Sequence, residues 1–172
     1  MRSVGVLWSP GWGATVDLFT IGHGSLEVGQ FLAALQRQRI TRVVDVRSIP
    51  HSRYVPWSGY RRLASELGRV GIAYEFAGRE LGGKPSDANL RTVSGSPDYD
   101  RIAASPAYLR GIERVIEAAE GDRLALLCSE SNPMMCHRER LIGRTLRARG
   151  CRVRHILADG SLADAVPDWL FK

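Results

Sequence analysis

The stretch 124-LALLCSESNPMMCHRERLIGRTL-146 constrains this chain more than any other, because it spells a strand, a turn and a helix in succession. Leu124 to Leu127 is a continuous apolar run, the pattern of a strand buried on both faces. Cys128 falls where that strand should end. Asn132 before Pro133 predicts a helix start, since an Asx side chain caps orphan N–H groups and proline is tolerated at the first helical position. Leu141, Ile142, Thr145 and Leu146 then form a helical stripe, and Gly150 supplies the stop. Cys128, Ser129, Glu130, Cys136, His137 and Arg138 are thereby crowded into the turn and the first helical turns. A helix N-terminus presents free N–H donors and the positive end of its dipole, which attract anions and lower thiol pKa values.

The rest of the chain repeats the alternation of strand and helix. Residues 1–16, rich in Gly, Trp and Ser, read as an N-terminal extension, with Trp8 and Trp12 available to pack on the body. Residues 17–172 read as a single domain. Asp17 to Ile21 predicts a first strand running into Gly22-His23-Gly24. Ser25 is placed to cap a helix carrying Val28, Phe31, Leu32 and Leu35 on one face. Arg42 to Arg47 predicts a second strand, stopped by Ser48-Ile49-Pro50, and residues 51–59 form a polar, aromatic loop. A helix over residues 60–70 ends at Gly71, and a third strand covers residues 72–76. Residues 78–105 predict mostly loop with one short helix at 99–104, and a segment of that length is a candidate lid or binding loop. Ser105-Pro106 opens a clear helix with Tyr108, Ile112, Val115, Ile116 and Ala119 at helical spacing. A last strand covers 151–157, followed by a short helical turn capped by Ser161. This order predicts a three-layer α/β fold, a mainly parallel sheet with helices on both faces. Ligands of such sheets sit outside the carboxyl ends of the strands. His23, Arg47 and Cys128 each fall at such an end, so three strands would deliver polar groups to one rim.

Composition bears on partners and compartment. The formal charge is +6, and all but two of the 24 basic residues are arginine, the exceptions being Lys84 and Lys172. Arginine suits bidentate contact with phosphate or carboxylate, but these residues are spread along the chain and not blocked as in a nucleic-acid footprint. Three cysteines without scaffold spacing imply free thiols in a reducing compartment, and hence a cytoplasmic protein. Pro10, Gly11 and Gly13 interrupt any signal-peptide core, and no apolar run approaches a membrane span.

Each chemical reading of the central stretch has a structural counterpart. Cys128 is a candidate nucleophile or sulfur carrier, or a small buried residue ending a core strand. Glu130 and His137 are candidate proton-transfer groups, and Glu130 equally suits a loop-holding role. Cys136 and His137 invite a metal reading with Cys128, but C-x7-C-H matches none of the usual zinc spacings, so no metal is expected. His23, Arg47, Arg53 and Arg138 are candidates to hold an anion. Alternatively, Asp45, in a buried strand, needs a cationic partner such as Arg47 or Arg138. Gly82-Gly83-Lys84 lacks the frame of a phosphate-binding loop. Tyr54, Trp57 and Tyr60, interleaved with Arg53, Arg61 and Arg62, suit either stacking on single-stranded nucleic acid or packing as a lid.

Four motifs in order, 20-TIGHG-24, 45-DVRSIPHSR-53, 81-LGG-83 and 127-LCSESNPMMCHR-138, together with His155, resemble the domain-of-unknown-function 488 family (DUF488). The similarity spans Thr20 to Leu157 and departs from the family pattern at Gly24, where serine is usual and Ser25 follows one residue later. The resemblance implies the fold and, since the family activity is not established, assigns no catalytic role and no cofactor. A looser layout is similar to rhodanese-like domains, through Asp45-Val46-Arg47 and a strand ending in cysteine. There an arginine follows the cysteine closely, whereas Arg138 stands ten residues after Cys128. Two functions follow as expectations: an enzyme acting on a small anionic, phosphorylated or nucleotide-like substrate at the strand-end rim, or a nucleic-acid-binding or regulatory module with structural cysteines.

Overall fold

A computed structural model describes residues 15–165. The expected extension, including Trp8 and Trp12, lies outside the described residues except for its last two positions. The strands are β1 (Asp17–Gly22), β2 (Arg42–Asp45), β3 (Ala73–Phe76), β4 (Leu124–Cys128), β5 (Arg152–Ile156) and β6 (Leu162–Asp164). They form one sheet in the order β3-β2-β4-β1-β5-β6, parallel throughout except for the antiparallel edge strand β6. The helices are α1 (Val28–Arg37), α2 (Tyr60–Arg69), α3 (Gly78–Leu81), α4 (Tyr99–Ala104), α5 (Pro106–Gly121) and α6 (Arg144–Ala148).

Alternate residues of each central strand enter two separate cores, so both faces of the sheet are covered. Leu124 and Leu126 of β4 pack with Leu18, Val44 and the α5 residues Tyr108, Ile112 and Val115. Ala125 and Leu127 point the other way, to Phe19, Ile21, Phe31 and Leu35 of α1, and Leu63 and Leu67 of α2. This accounts for the uninterrupted apolar run of β4: a strand at the centre of a covered parallel sheet has no wet face. Burying each such Leu or Phe contributes about 1.5–3 kcal/mol before the entropy of ordering it is subtracted.

Helix starts follow the local chemistry, with two differences from expectation. Ser105 caps α5, its hydroxyl accepting from the Tyr108 N–H, with Pro106 as the first helical residue. Ser25, in contrast, does not cap α1. Gly24 adopts φ +49° and the Leu26 N–H donates to the His23 carbonyl, which places Ser25 inside a turn. The helix starts after Glu27, whose N–H donates to the Gln30 side chain. Asn132 does cap, accepting from the Met134 N–H, but only a single 3-10 turn, Pro133–Met135. The chain is extended again at Cys136 (φ −123°, ψ 147°), and the continuous helix begins at Arg138. Its first part, Arg138–Gly143, is π-helical and leads directly into α6.

Three further differences concern secondary structure. The long segment after β3 contains α3 and a 3-10 turn at Ala88–Leu90 besides the expected α4. The predicted strand over 42–47 stops at Asp45, since Arg47 turns its backbone N–H to the Asp45 carboxylate. The helical turn expected after Ser161 is instead the edge strand β6. Gly160 has φ +78°, the Leu157 N–H donates to the Ser161 carbonyl, and the Ser161 N–H donates to Asp159. Ser161 therefore closes a hairpin turn and caps nothing.

Candidate functional site

The three central strands end side by side, and the loops after them build the site. The loop after β4 is pinned from β1: the His23 N–H donates to the Cys128 carbonyl at 3.1 Å, and the Gly24 N–H to the Ser129 carbonyl at 2.9 Å. Arg138, 1% exposed, holds the same loop from beneath. Its Nη2 donates to the Glu130 and Ser131 carbonyls at 2.9 and 2.8 Å, and its Nη1 donates to the Thr20 hydroxyl at 3.2 Å. A Cβ on Gly22 would lie 1.7 Å from the Glu130 carbonyl oxygen, so this crossing requires glycine. The 20-TIGHG-24 motif thus supplies a close backbone approach and two N–H donors.

Behind Arg138 lies a buried polar chain. The Thr20 hydroxyl accepts from Arg138 and shares a second hydrogen bond with His155 Nδ1, 2.7 Å away. His155 Nε2 lies 3.0 Å from the fully buried Glu139 carboxylate. Arg147 pairs with the other Glu139 oxygen at 2.7 Å. The π-helical turn lets the consecutive residues Arg138 and Glu139 both point inward. Gly143 leaves room for the carboxylate, since a Cβ there would be 2.6 Å from Glu139 Oε2. A π-turn in a helix frequently marks a functional site. Here it seats the chain of polar groups that fixes the loop.

On the outer side of that loop, Cys128, Cys136 and His137 converge. His137 Nδ1 is 3.7 Å from Cys128 Sγ and 3.6 Å from Cys136 Sγ, and the three atoms lie within 4.8 Å of one another. His137 Nε2 is 3.0 Å from the Val46 carbonyl, which can only accept, so Nε2 carries a proton and Nδ1 faces the sulfurs. Gly83 lies flat against the imidazole: a Cβ there would be 2.6 Å from His137 Cγ. The Arg138 backbone N–H points at Cys136 Sγ at 3.4 Å.

These contacts push the two thiols in opposite directions. The Cys128 pKa is lowered, first by a hydrogen bond from Cys136, against the opposing effect of burial, and further by His137 and the Glu130 N–H. The Cys136 pKa is raised by the same hydrogen bond, since Cys136 is the donor, and by burial. Burial also lowers the pKa of Arg138, and the neighbouring Cys136 and Cys128 work the other way. For His23, burial lowers the pKa most, opposed by its hydrogen bond to the Gly24 carbonyl.

Above the cluster is a cavity of about 370 Å³, lined among others by Arg47, His51, Lys84, Ser129 and Glu130. Of the residues expected at the site, Cys128, His137, Glu130 and Arg47 line it. Glu130 is exposed, whereas Arg47 is held by Asp45 through Nε at 2.9 Å and Nη2 at 2.6 Å, and its Nη2 also reaches the Ser58 carbonyl. Arg47 Nη1 makes no hydrogen bond. His23 is buried against Trp57, Arg138 lies under the loop, and Arg53 is exposed and outside the lining. His51, Lys84 and Ser129 join the site without having been singled out for it. His51 was legible only as part of the aromatic loop, and Lys84 as a lone lysine after a Gly-Gly pair.

The arrangement defines an α/β protein with a Cys/His cluster at the carboxyl rim of a mainly parallel sheet. Residues 27–145, more than half of the chain, match the family model described as "Domain of unknown function DUF488", and the chain belongs to that family. The comparisons with curated proteins and with solved structures found no match. No helix among the described residues is long and apolar enough to cross a membrane.

Proposed function

We propose that the protein is an enzyme that acts on a small anionic substrate in the strand-end cavity, with the Cys128 thiolate as nucleophile. The observation that carries this reading is the position of Cys128, in the cavity lining and beside Cys136 and His137. A core-packing cysteine needs neither a thiol donor nor an imidazole beside it. A nucleophile needs a stabilised thiolate and access. His137, fixed through its Nε2–H on the Val46 carbonyl, turns Nδ1 to the sulfur and is placed to exchange a proton with it. Glu130, on the open side of the cavity, is the second proton-transfer group. Lys84, the Arg47 Nη1 group left without a hydrogen bond, and the His51 imidazole give the lining donors for an anion, which suits a phosphate or carboxylate. Arg138, His23 and the buried Glu139–His155 pair position the loop and do not touch substrate.

The test is iodoacetamide labelling of the folded, metal-free protein at neutral pH, with each cysteine followed by mass spectrometry. Cys128 should label fastest, and Cys136 and Cys151, whose pKa values are both raised, more slowly. Labelling of Cys128 should also slow in the presence of inorganic phosphate if the anion occupies the cavity. A Cys128 that stays inert until the protein unfolds removes the nucleophile.

A further inference from the structure

The sequence spacing of Cys128, Cys136 and His137 fits no common zinc motif, because such motifs describe ligands brought together by one tight local turn. Here a strand end and the head of a helix do the same work across a nine-residue span. Elementary geometry gives the test. For tetrahedral zinc with Zn–S about 2.3 Å and Zn–N about 2.05 Å, sulfur and nitrogen ligands lie about 3.6 Å apart. The two S···N separations are 3.7 and 3.6 Å.

We infer that Cys128 Sγ, Cys136 Sγ and His137 Nδ1 form a binding site for zinc, or a similar soft divalent ion, whose fourth position opens on the cavity. Two further observations support it. The Val46 carbonyl takes the Nε2 proton of His137, which leaves Nδ1 as the lone-pair donor when the ring is neutral. Orientation of a ligating histidine by a backbone carbonyl is the usual arrangement behind metal sites. In addition, the three ligands are buried and all line the cavity, from which a water or an anionic ligand group can complete the shell, as in three-ligand zinc sites. The donor set of two thiolates and one imidazole selects zinc over magnesium or calcium. On binding, the ion replaces the protons the three groups otherwise share, and a zinc-bound Cys128 no longer serves as a free nucleophile. The inference rests on the same cluster as the proposed reaction, but not on Cys128 being catalytic.

The experiment is titration of the full-length, metal-free protein with Co²⁺ and then Zn²⁺, using Cys151→Ser, Cys128→Ser and Cys136→Ser variants checked for folding by thermal unfolding. One Co²⁺ per chain should bind with a sulfur-to-cobalt charge-transfer band, and Zn²⁺ should displace it. Cys151→Ser should retain the site. Loss of either ligand cysteine should weaken binding by more than the ~100-fold that loss of a supporting partner can cost. Bound Zn²⁺ should slow labelling of Cys128 and Cys136 at least about tenfold, since a ligated thiolate is not free to react. Absence of the charge-transfer band in the wild type, or zinc binding that leaves labelling unchanged, overturns the inference even if a cysteine variant fails to fold. The two readings fail separately. An inert Cys128 in metal-free protein that binds cobalt through sulfur sinks the nucleophile and upholds the metal site. A reactive Cys128 without cobalt binding does the reverse.

Discussion

Replacement of Asp45 by Asn is expected to be among the most costly conservative changes in the molecule. Asp45 is fully buried and accepts four hydrogen bonds: from the Arg47 N–H at 3.1 Å, Arg47 Nε at 2.9 Å, Arg47 Nη2 at 2.6 Å and the Tyr74 hydroxyl at 2.8 Å. Burial, reinforced by the Asp45 charge, pushes the Tyr74 pKa up and keeps it a donor. Asn preserves the shape but removes the charge, and its NH2 group can only donate where one carboxylate oxygen accepted. Arg47, 3% exposed, is left as a buried cation without a counter-charge, a loss of about 3–5 kcal/mol. For a domain of this size each kcal/mol lowers Tm by about 2–4 °C, so the midpoint should fall by about 6–20 °C. Urea denaturation of wild type and variant measures the free energy directly. The double variant Asp45→Leu/Arg47→Met removes both charges and should recover part of the loss. The Ser58 carbonyl, which now accepts from Arg47 at 2.8 Å, would remain unpaired at a cost of about 1–3 kcal/mol. A single variant that loses less than about 1 kcal/mol, against the loss expected for a broken buried pair, would refute the reasoning. So would a double variant less stable than the single.

Two other changes probe the site and the amino end of the central strand β1. Gly83→Ala would place a methyl group 2.6 Å from His137 Cγ; it should cost about 1–3 kcal/mol as overpacking, and by shifting the imidazole it should slow Cys128 labelling, both measurable on one sample. Asp17 is held below its ordinary pKa chiefly by its hydrogen bond to Arg152, with Arg154 adding to it. A depressed carboxylate pKa stabilises the fold above the unfolded value of 3.8, and that contribution disappears as pH falls through the folded value. Asp17→Asn should therefore be less stable than wild type near neutrality, by no more than about 1 kcal/mol for so open a pair. The difference should vanish in strong acid, and a difference that grows as pH falls contradicts the assignment.

The fold was largely legible because its strongest signals are physically redundant. The run Leu124–Leu127 has one explanation, a strand covered on both faces, and Ser105-Pro106 combines a cap with a residue that suits only a helix start. The ending of the chain was harder to read. Asp159-Gly160-Ser161 contains the same residue types for a hairpin turn as for a helix cap, and only pairing of β6 with β5 decides between them. At the site, Cys128 and Arg47 were placed at the rim by their positions at strand ends. The sequence crowds Cys136 and His137 near Cys128, but their close approach depends on a chain that leaves the 3-10 turn extended and re-enters as a π-turn, which C-x7-C-H spacing does not encode. Arg138 shows the other limit of sequence reading. Its residue type suits an anion clamp, but its guanidinium is occupied by the Glu130 and Ser131 carbonyls and Thr20. Which cation faces a ligand and which holds a loop is settled by side-chain direction, which motif spacing does not encode.

The most direct measurement is the ultraviolet thiolate absorbance of the metal-free protein, followed with pH in wild type and in Cys128→Ser. The wild type should show one thiolate at neutral pH that persists well below the ordinary cysteine pKa of about 8.5. That band should be absent, or shifted to higher pH, in Cys128→Ser. A wild type whose thiolate appears only above that ordinary value, or an acidic thiolate that survives in Cys128→Ser, would contradict the assignment to Cys128.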